Sequence, residues 1–284
     1  MNELQFQDWL ENFNQSHSYR KPLLMGIVNV TPDSFSDGGK YLQPQQAANH
    51  AQKLIAAGAD LIDVGGESSR PGATPISIDA ELDRVIPVIE LIRQHTATCI
   101  AIDTTKDEVM RAAINAGANI INDIHALHQP GSLQAAIDLQ VPVCLMHMQG
   151  TPQTMQNNPH YATNIIDDIN NFFHNQIEIC LQAGMQKNNL IIDPGFGFGK
   201  TPQNNLSIIK NLHKFNAHNL PILLGVSRKS TLGLITKQPI DQRLIAGITL
   251  ALYTCFQGLA ILRTHDVAET MQAMTMLDAI QNST

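Results

Sequence analysis

Eight short apolar runs, separated by segments with helical periodicity, constrain the fold of this chain more than any other feature. Alternating strands and helices are typical of α/β proteins, in which helices cover both faces of a buried parallel sheet. The runs lie at 23–30, 61–65, 99–103, 120–124, 141–146, 190–193, 222–226 and 260–263. Eight strands with right-handed helical crossovers predict a closed (β/α)8 TIM barrel, with an open, doubly wound sheet as the alternative.

The chain length fits one such barrel. The sequence has 284 residues, and a (β/α)8 barrel typically takes about 250. We therefore expect a single barrel domain over 23–284. The preceding segment, 1–22, is expected to form an extension that caps the lower end of the barrel.

Composition excludes several classes of protein. The net charge is −7 and only 15% of the residues are charged, which argues against the clustered lysines and arginines of a nucleic-acid surface. The first 20 residues lack the apolar core of a signal peptide, and no run is long enough to span a membrane. The four cysteines form no CxxC pair, which favours reduced thiols in a cytoplasmic protein.

Polar side chains stand at the carboxyl ends of nearly all the apolar runs. This is the end at which (β/α)8 barrels form their active sites. A single aspartate in such a place often only caps a helix, and Asp63 can be explained as organising the loop that follows it. A barrel does not need polar side chains from nearly every strand to meet at one mouth in order to be stable. The set comprises Asn29, Asp63, Asp103, Asn122, His147, Asp193, Ser227, Arg228, Lys229, Arg263 and His265.

The residue types in this set indicate the kind of ligand. Asp103, Asp193 and Asn122 suit a heterocycle that carries both N–H donors and ring acceptors, since a carboxylate accepts two parallel N–H bonds. The ends of the seventh and eighth strands, where barrels commonly hold phosphate, supply the cationic side of the mouth. Its members are Lys229, Arg263 and His265. The mouth is therefore predicted to bind a polar fused ring with a phosphorylated tail.

Two further segments match well-known local patterns without indicating a nucleotide site. The run GFGFGKT at 195–201 has Pro194 where a phosphate-binding loop needs glycine, and Lys200 breaks the Rossmann spacing. We expect a flexible loop there. Residues 105–108 match a capping box, so Thr105 is expected to cap the helix that follows the third strand.

Long, ordered motifs in this chain resemble those of the dihydropteroate synthase family. They are NVTPDSFSDGG at 29–39, DVGGESSRPG at 63–72, NDI at 122–124, MHM at 146–148, DPGFGFGK at 193–200 and SRKS at 227–230. The resemblance implies a transferase of folate synthesis that joins 6-hydroxymethyl-7,8-dihydropterin diphosphate to 4-aminobenzoate, giving 7,8-dihydropteroate and diphosphate. It also implies a homodimer and a target of sulfonamides, which mimic 4-aminobenzoate.

The resemblance further implies a role for each matched residue. The pterin would be held by Asp103, Asn122, Asp193 and Lys229. The diphosphate would be held by Asn29, Arg263 and His265, with Asn29 also a ligand of Mg²⁺. The 4-aminobenzoate pocket would comprise Ser69, Arg70, Pro71, Phe198 and Ser230, together with Lys229. The catalytic residues would be Asn29, Asp103, Lys229 and Arg263. Apart from the resemblance, the glycines of the 31–39 segment indicate a mobile loop, in which Asp33, Ser34 and Phe35 are expected to close over the substrates.

Other functions remain open at this point. A pterin-dependent methyltransferase shares the barrel and the carboxylate–amide grip on the pterin, but needs neither the SRKS motif nor a metal ligand in the first loop. A non-catalytic pterin-binding relative and a barrel enzyme for another phosphorylated metabolite are the remaining alternatives. Ser69 stands where threonine is usual in the family, so the 4-aminobenzoate pocket and its response to sulfonamides are expected to differ.

Overall fold

Eight parallel strands form a closed barrel in chain order. The computed structural model describes residues 1–13, 19–31, 42–161 and 164–283. The strands are β1 Leu23–Asn29, β2 Leu61–Gly65, β3 Cys99–Asp103, β4 Ile120–Asp123, β5 Val143–Met146, β6 Leu190–Asp193, β7 Ile222–Gly225 and β8 Leu259–Thr264. Because β1 pairs with both β2 and β8, the sheet has no free edge. The predicted (β/α)8 barrel is confirmed, and the alternative of an open sheet is wrong.

Helices follow the strands around the outside of the barrel. Between β7 and β8 there are two, and one lies in the described part of the segment before β1. The helices are α1 Glu3–Glu11, α2 Leu42–Ala56, α3 Ile78–Arg93, α4 Asp107–Asn115, α5 Ser132–Leu139, α6 Ile165–Gln182, α7 Pro202–Lys210, α8 Ser230–Thr236, α9 Leu244–Cys255 and α10 Val267–Gln281.

The barrel interior is apolar towards the amino ends of the strands and polar towards their carboxyl ends. Leu61 and Ala101 belong to the buried interior cluster. Two residues further along, where the pleat returns the side chain to the same face, stand Asp63 and Asp103. The same step separates Ile120 from Asn122, Ile191 from Asp193 and Ile261 from Arg263. The polar groups therefore all face the carboxyl ends of the strands.

Helix α1 packs against the apolar part of the interior. Phe6 and Leu10 are buried in the same cluster as Leu61 and Cys99, near the amino ends of the strands. A backbone hydrogen bond from Cys99 N to Met1 O, 2.9 Å long, ties the start of the chain to β3. Full burial of a side chain such as Phe6 contributes roughly 1.5–3 kcal/mol, so α1 adds to the stability of the barrel. The boundary at residue 22 stays a prediction.

Helix α4 begins later than the capping-box pattern indicates. Its N-terminal cap is Lys106, whose side chain makes no capping hydrogen bond. Thr104 Oγ1 accepts from Lys106 N at 3.3 Å. The prediction that Thr105 caps this helix is therefore wrong, because the helix starts one residue after the pattern places it.

Cys99, Cys144, Cys180 and Cys255 are free thiols with buried side chains. Burial raises the pKa of Cys99 to about 12, so this thiol is neutral at physiological pH. Across the described ranges, every helix is too short or too polar to cross a bilayer.

Candidate active site

Two carboxylates and one guanidinium form the centre of the barrel mouth. Arg263 Nε donates to Asp63 Oδ2 at 2.6 Å, and Arg263 Nη2 donates to Asp103 Oδ2 at 2.9 Å. Asn122 Nδ2 donates to Asp63 Oδ1 at 3.3 Å. Asp63 is fully buried, whereas the side chains of Arg263 and Asp103 remain 18% and 13% exposed. Strands β2, β3, β4 and β8 thus fix one hydrogen-bonded cluster that is open on one side.

The charges in this cluster shift one another's pKa. Burial and the charge of Asp63 raise the pKa of Asp103 to about 7, although Arg263 opposes the shift. Burial alone would lower the pKa of Arg263, but Asp63 and Asp103 raise it above its usual range. Arg263 is therefore a permanent cation, and the pKa of Asp103 lies above that of an ordinary carboxyl group.

Asp193 and Lys229 form the second charged part of the mouth. Asp193 Oδ1 accepts from Gly195 N at 2.7 Å, and burial raises the pKa of Asp193 to about 6 while Lys229 lowers it. Burial and Arg263 lower the pKa of Lys229 to about 8. The Lys229 ammonium lies 4.0 Å from the ring centroid of Phe198, which is close enough for a cation–π interaction.

The loop after β6 is held in place by hydrogen bonds. Gly195 has φ +68°, and a Cβ there would overlap the carbonyl oxygen of His147, so only glycine fits. Lys200 is buried and donates to Phe198 O at 2.9 Å and contacts His147 Nδ1 at 3.0 Å. The expectation of a flexible loop is therefore corrected, because the glycines serve close packing and Lys200 fastens the turn. His147 helps to hold this loop.

The segment between β5 and α6 connects the two groups of residues assigned to 4-aminobenzoate. Gly72 N donates to Pro152 O at 3.0 Å, which attaches the loop that carries Ser69, Arg70 and Pro71. Gln156 Nε2 donates to Gly197 O at 2.9 Å, and Tyr161 Oη donates to Gly199 O at 2.7 Å. These bonds attach the loop that carries Phe198. The structure therefore places both loops against one segment.

Exposure differs among the residues assigned to 4-aminobenzoate. Ser69 is half-buried, while Arg70 and Pro71 are exposed at the loop tip. Phe198 is buried beside Met146 and Met155. Ser230 is exposed as the first residue of α8. Phe198 and Lys229 are thus the members of this set that the structure brings into contact.

The residues assigned to the diphosphate lie on neighbouring strands. Asn29 ends β1 and is half-buried, and β8, which pairs with β1, carries Arg263 and leads into His265. Burial and the charge of Arg263 lower the pKa of His265 to about 3, and its Nδ1 contacts Ser227 Oγ at 3.1 Å. The low pKa favours the neutral ring, and the contact of His265 with the diphosphate stays a prediction. A neutral ring still offers one N–H to an anion.

The other polar residues of the SRKS motif have a structural role. Arg228 has φ +60° and its guanidinium pairs with Asp266, which precedes α10. Ser227 Oγ also donates to Asp266, at 3.3 Å. These contacts direct Arg228 away from the cluster around Arg263, so that Lys229 is the cation of the motif that enters the mouth.

Asp63 is the site residue whose role sequence reasoning misses. Its place in the sequence is accounted for by the loop that follows it, whereas the structure shows it as the partner that orients Arg263. The available signal is its position inside an apolar strand, where an unpaired carboxylate is costly.

The predicted mobile loop with Asp33, Ser34 and Phe35 lies outside the described residues.

Comparison with known proteins places this barrel in a family. Residues 25–265 match the family model described as pterin binding enzyme. The chain is 49% identical to the dihydropteroate synthase of Escherichia coli K12, with 91% of each chain covered. A Yersinia pestis dihydropteroate synthase solved as a sulfonamide drug complex matches with a TM-score of 0.88 at 47% identity, covering 93% of this chain and 95% of that one. A Xanthomonas albilineans dihydropteroate synthase in complex with 7,8-dihydropteroate matches with a TM-score of 0.85 at 40% identity, covering 97% and 99%.

The fold, the polar mouth and the family match define an enzyme barrel that binds a pterin. The chain belongs to the pterin binding enzyme family. Relatives that match more than nine-tenths of its length include the dihydropteroate synthases of Escherichia coli and Haemophilus influenzae.

Proposed function

We propose that this protein is a dihydropteroate synthase, a transferase of folate biosynthesis. It joins 6-hydroxymethyl-7,8-dihydropterin diphosphate to 4-aminobenzoate and releases diphosphate. The observation that carries the proposal is the pairing of Arg263 with Asp63 and Asp103 beside Asp193 and Lys229. This arrangement offers carboxylates to a pterin and cations to a diphosphate at one barrel mouth.

The geometry suggests how the pterin is held and activated. Asp193, ionised above about pH 6, accepts N–H groups from the guanidine-like edge of the ring, and Asn122 provides an amide beside it. The C–O bond to diphosphate breaks first, and Arg263 and the N–H of His265 stabilise the charge that develops on the leaving oxygens. Ionised Asp103 stabilises the positive charge that spreads into the pterin.

The second half of the reaction needs positioning more than base catalysis. The neutral aniline nitrogen of 4-aminobenzoate is already a nucleophile, and it attacks the pterin methylene to form the C–N bond. The proton that it loses goes to solvent or to the released diphosphate. Lys229, stacked on Phe198, offers a cation to the carboxylate of 4-aminobenzoate or to the pterin carbonyl. Catalysis then rests on orientation and electrostatics.

A magnesium ion fits this site when the substrate supplies most of its ligands. Within the described part of the chain, no group of three or more His, Cys, Asp or Glu side chains can hold a metal. Asn29 offers an amide oxygen, and Mg²⁺ commonly takes one protein ligand together with phosphate oxygens and waters. We therefore propose Asn29 as the protein ligand. The ion would add positive charge to the leaving diphosphate.

Replacing Asn29 by alanine is expected to raise the Mg²⁺ concentration for half-maximal activity by about tenfold, because one oxygen ligand is lost. Asn29→Asp keeps an oxygen at the same place and is the matched control, with a smaller change. The measurement is a magnesium titration of initial rates at saturating substrates. A wild-type titration for Asn29→Ala would contradict the ligand role.

The pH dependence of kcat/KM for the pterin substrate is expected to be bell-shaped. The rate should rise as Asp193, near pH 6, and Asp103, whose pKa is also raised, lose their protons, and it should fall as Lys229 loses its proton near pH 8. Lys229→Arg should move the alkaline limb upward by more than about one unit, because a guanidinium stays protonated. Rates from about pH 5 to about pH 10 test this. An unmoved alkaline limb in Lys229→Arg would assign that limb to another group.

One assay tests the proposed function directly. The protein is incubated with 6-hydroxymethyl-7,8-dihydropterin diphosphate, 4-aminobenzoate and Mg²⁺, and 7,8-dihydropteroate and diphosphate are measured. Formation of both products in equal amounts supports the proposal. Methyl transfer from a methylated folate to a corrinoid, without diphosphate release, would instead indicate the methyltransferase, and pterin binding without turnover would indicate a non-catalytic relative.

We further propose that two copies associate through the face formed by α8, α9 and α10. These helices pack on one another in chain order and expose large apolar side chains, as expected for an interface. The most exposed are Leu234, Ile245 and Met276, at 67%, 78% and 63%. Light scattering should give twice the 31.2 kDa of one chain, and a monomer mass would overturn this proposal.

The buried free thiols support a cytoplasmic location.

A further inference from the structure

The loop between β2 and α3, residues 66–76, carries Ser69, Arg70 and Pro71. Its tip is exposed, whereas its base is half-buried beside the barrel mouth. A cleft at this base is lined by Ser69, Asp103 and Glu81, among others. Whatever fixes the base of the loop therefore also fixes the distance between Ser69 and the charged cluster.

Glu67 closes the loop across its base. Its Oε2 atom accepts from Ile76 N at 2.9 Å, which joins two residues nine positions apart. The same oxygen accepts from Lys106 Nζ at 2.6 Å. Arg84 Nη1 donates to Gly66 O at 2.8 Å on the other side of the base. The loop is thus held by side chains of α3 and of the β3–α4 connection.

Lys106 links Glu67 to a second carboxylate, that of Glu81. The Glu81 side chain is 1% exposed and its Oε2 pairs with Lys106 Nζ. Its Oε1 atom is buried and lacks a hydrogen-bond partner in the part of the chain that the structure describes. Burial alone would lower the pKa of Lys106, but its hydrogen bonds to Glu67 and Glu81 raise it. Lys106 is therefore the cation on which Glu81 depends.

The position of Lys106 connects this loop to β3. Lys106 is three residues after Asp103, at the start of α4. At the tip of the loop, Gly72 N donates to Pro152 O. The loop is fixed at its base by the ion triad and by Arg84, and at its tip by one backbone bond. Since the tip is otherwise exposed, the base contacts determine most of its position.

We infer that Lys106, through Glu67 and Glu81, is a positioning residue for the 4-aminobenzoate pocket. This inference rests on the proposed function. Lys106 holds the base of the 66–76 loop at a fixed distance from β3, so that Ser69, Arg70 and Pro71 face the pterin site. It takes no part in the chemistry and touches neither substrate.

The test compares Lys106→Met and Glu67→Ala with the wild-type protein. Both variants should raise the KM for 4-aminobenzoate about tenfold or more, with the KM for the pterin diphosphate changed less than about twofold. Hydrogen exchange in the 67–77 peptide should become faster, because Ile76 N–H loses its acceptor or that acceptor loses its anchor. Glu67→Gln, whose amide oxygen still accepts from Ile76, should restore most of the protection.

The controls separate this role from general damage. Arg111→Met removes an exposed ion pair with Asp138 from the same helix and should change neither KM. If Lys106→Met does not fold, because Glu81 is left unpaired, Glu67→Ala still tests the inference with the Lys106–Glu81 pair intact. An unchanged KM for 4-aminobenzoate and unchanged exchange, or an equal loss for both substrates, would overturn it. Absence of product from the wild-type protein would instead refute the proposed function, while hydrogen exchange would still report on the loop.

Discussion

Replacing Arg263 with methionine is expected to lower the free energy of unfolding by about 3–5 kcal/mol and kcat/KM by at least about 100-fold. Asp63 is fully buried and hydrogen-bonded to Arg263 Nε at 2.6 Å, so the variant leaves a buried charge without its counter-ion. Asp103 loses the same partner. Urea unfolding measures the first effect, and the dihydropteroate assay measures the second.

The pH dependence of this variant has a definite sign. Already in the wild type, burial and Asp63 raise the pKa of Asp103 to about 7. Removing Arg263 raises it further, so the folded state binds a proton more readily than the unfolded chain does. The stability lost in Arg263→Met should therefore be smaller near pH 5 than near pH 8.

A second substitution separates stability from catalysis. Asp63→Asn added to Arg263→Met removes the stranded charge, so part of the unfolding free energy should return while activity stays lost. Arg263→Lys keeps the charge without the two-pronged geometry and should fall between wild type and methionine in both measurements. Wild-type stability in Arg263→Met would show that Asp63 does not depend on this arginine.

Asp193→Asn is expected to weaken pterin binding by about 10- to 100-fold, since charge-assisted hydrogen bonds contribute about 1.5–3 kcal/mol. The asparagine oxygen still accepts from Gly195 N, whose bond to Asp193 is 2.7 Å long, so the loop after β6 keeps its position. Asp193→Ala also removes that acceptor, and its loss of affinity should be larger. Calorimetry with 6-hydroxymethyl-7,8-dihydropterin gives both values.

A surface variant provides the matched control for this substitution. Asp138→Asn makes the same change at an exposed residue that pairs with Arg111 on the outside of the barrel. It should bind the pterin as the wild type does. Undiminished affinity in Asp193→Asn and Asp193→Ala alike would remove Asp193 from the pterin site.

The strands were predictable because a parallel barrel buries both faces of each strand. Every predicted apolar run became a strand, with ends that differ by at most two residues. The largest difference is at β5, which begins at Val143 instead of residue 141, where Pro142 lacks the N–H that the ladder needs. The polar residues at the strand ends were predictable for the same reason, since the pleat and the direction of the chain fix where they point.

The parts of the site that depend on contacts between distant segments could not be predicted. Asp63 pairs with Arg263. Lys106 pairs with Glu67 and Glu81, which lie 39 and 25 positions away. A local pattern instead indicates a helix cap in the segment around Lys106. Burial and nearby cations lower the pKa of His265, and neither cause is visible from the residue type.

The ion pair between Asp63 and Arg263 spans 200 positions of the chain. Contacts of such long range form late, because closing the intervening chain costs entropy that only the finished barrel offsets. During synthesis, the carboxylates of β2 and β3 are made long before the arginine of β8. A nascent chain that ends before β8 would therefore expose two uncompensated aspartates in an open sheet. The step that closes the barrel is thus also the step that first pairs these carboxylates with their cation.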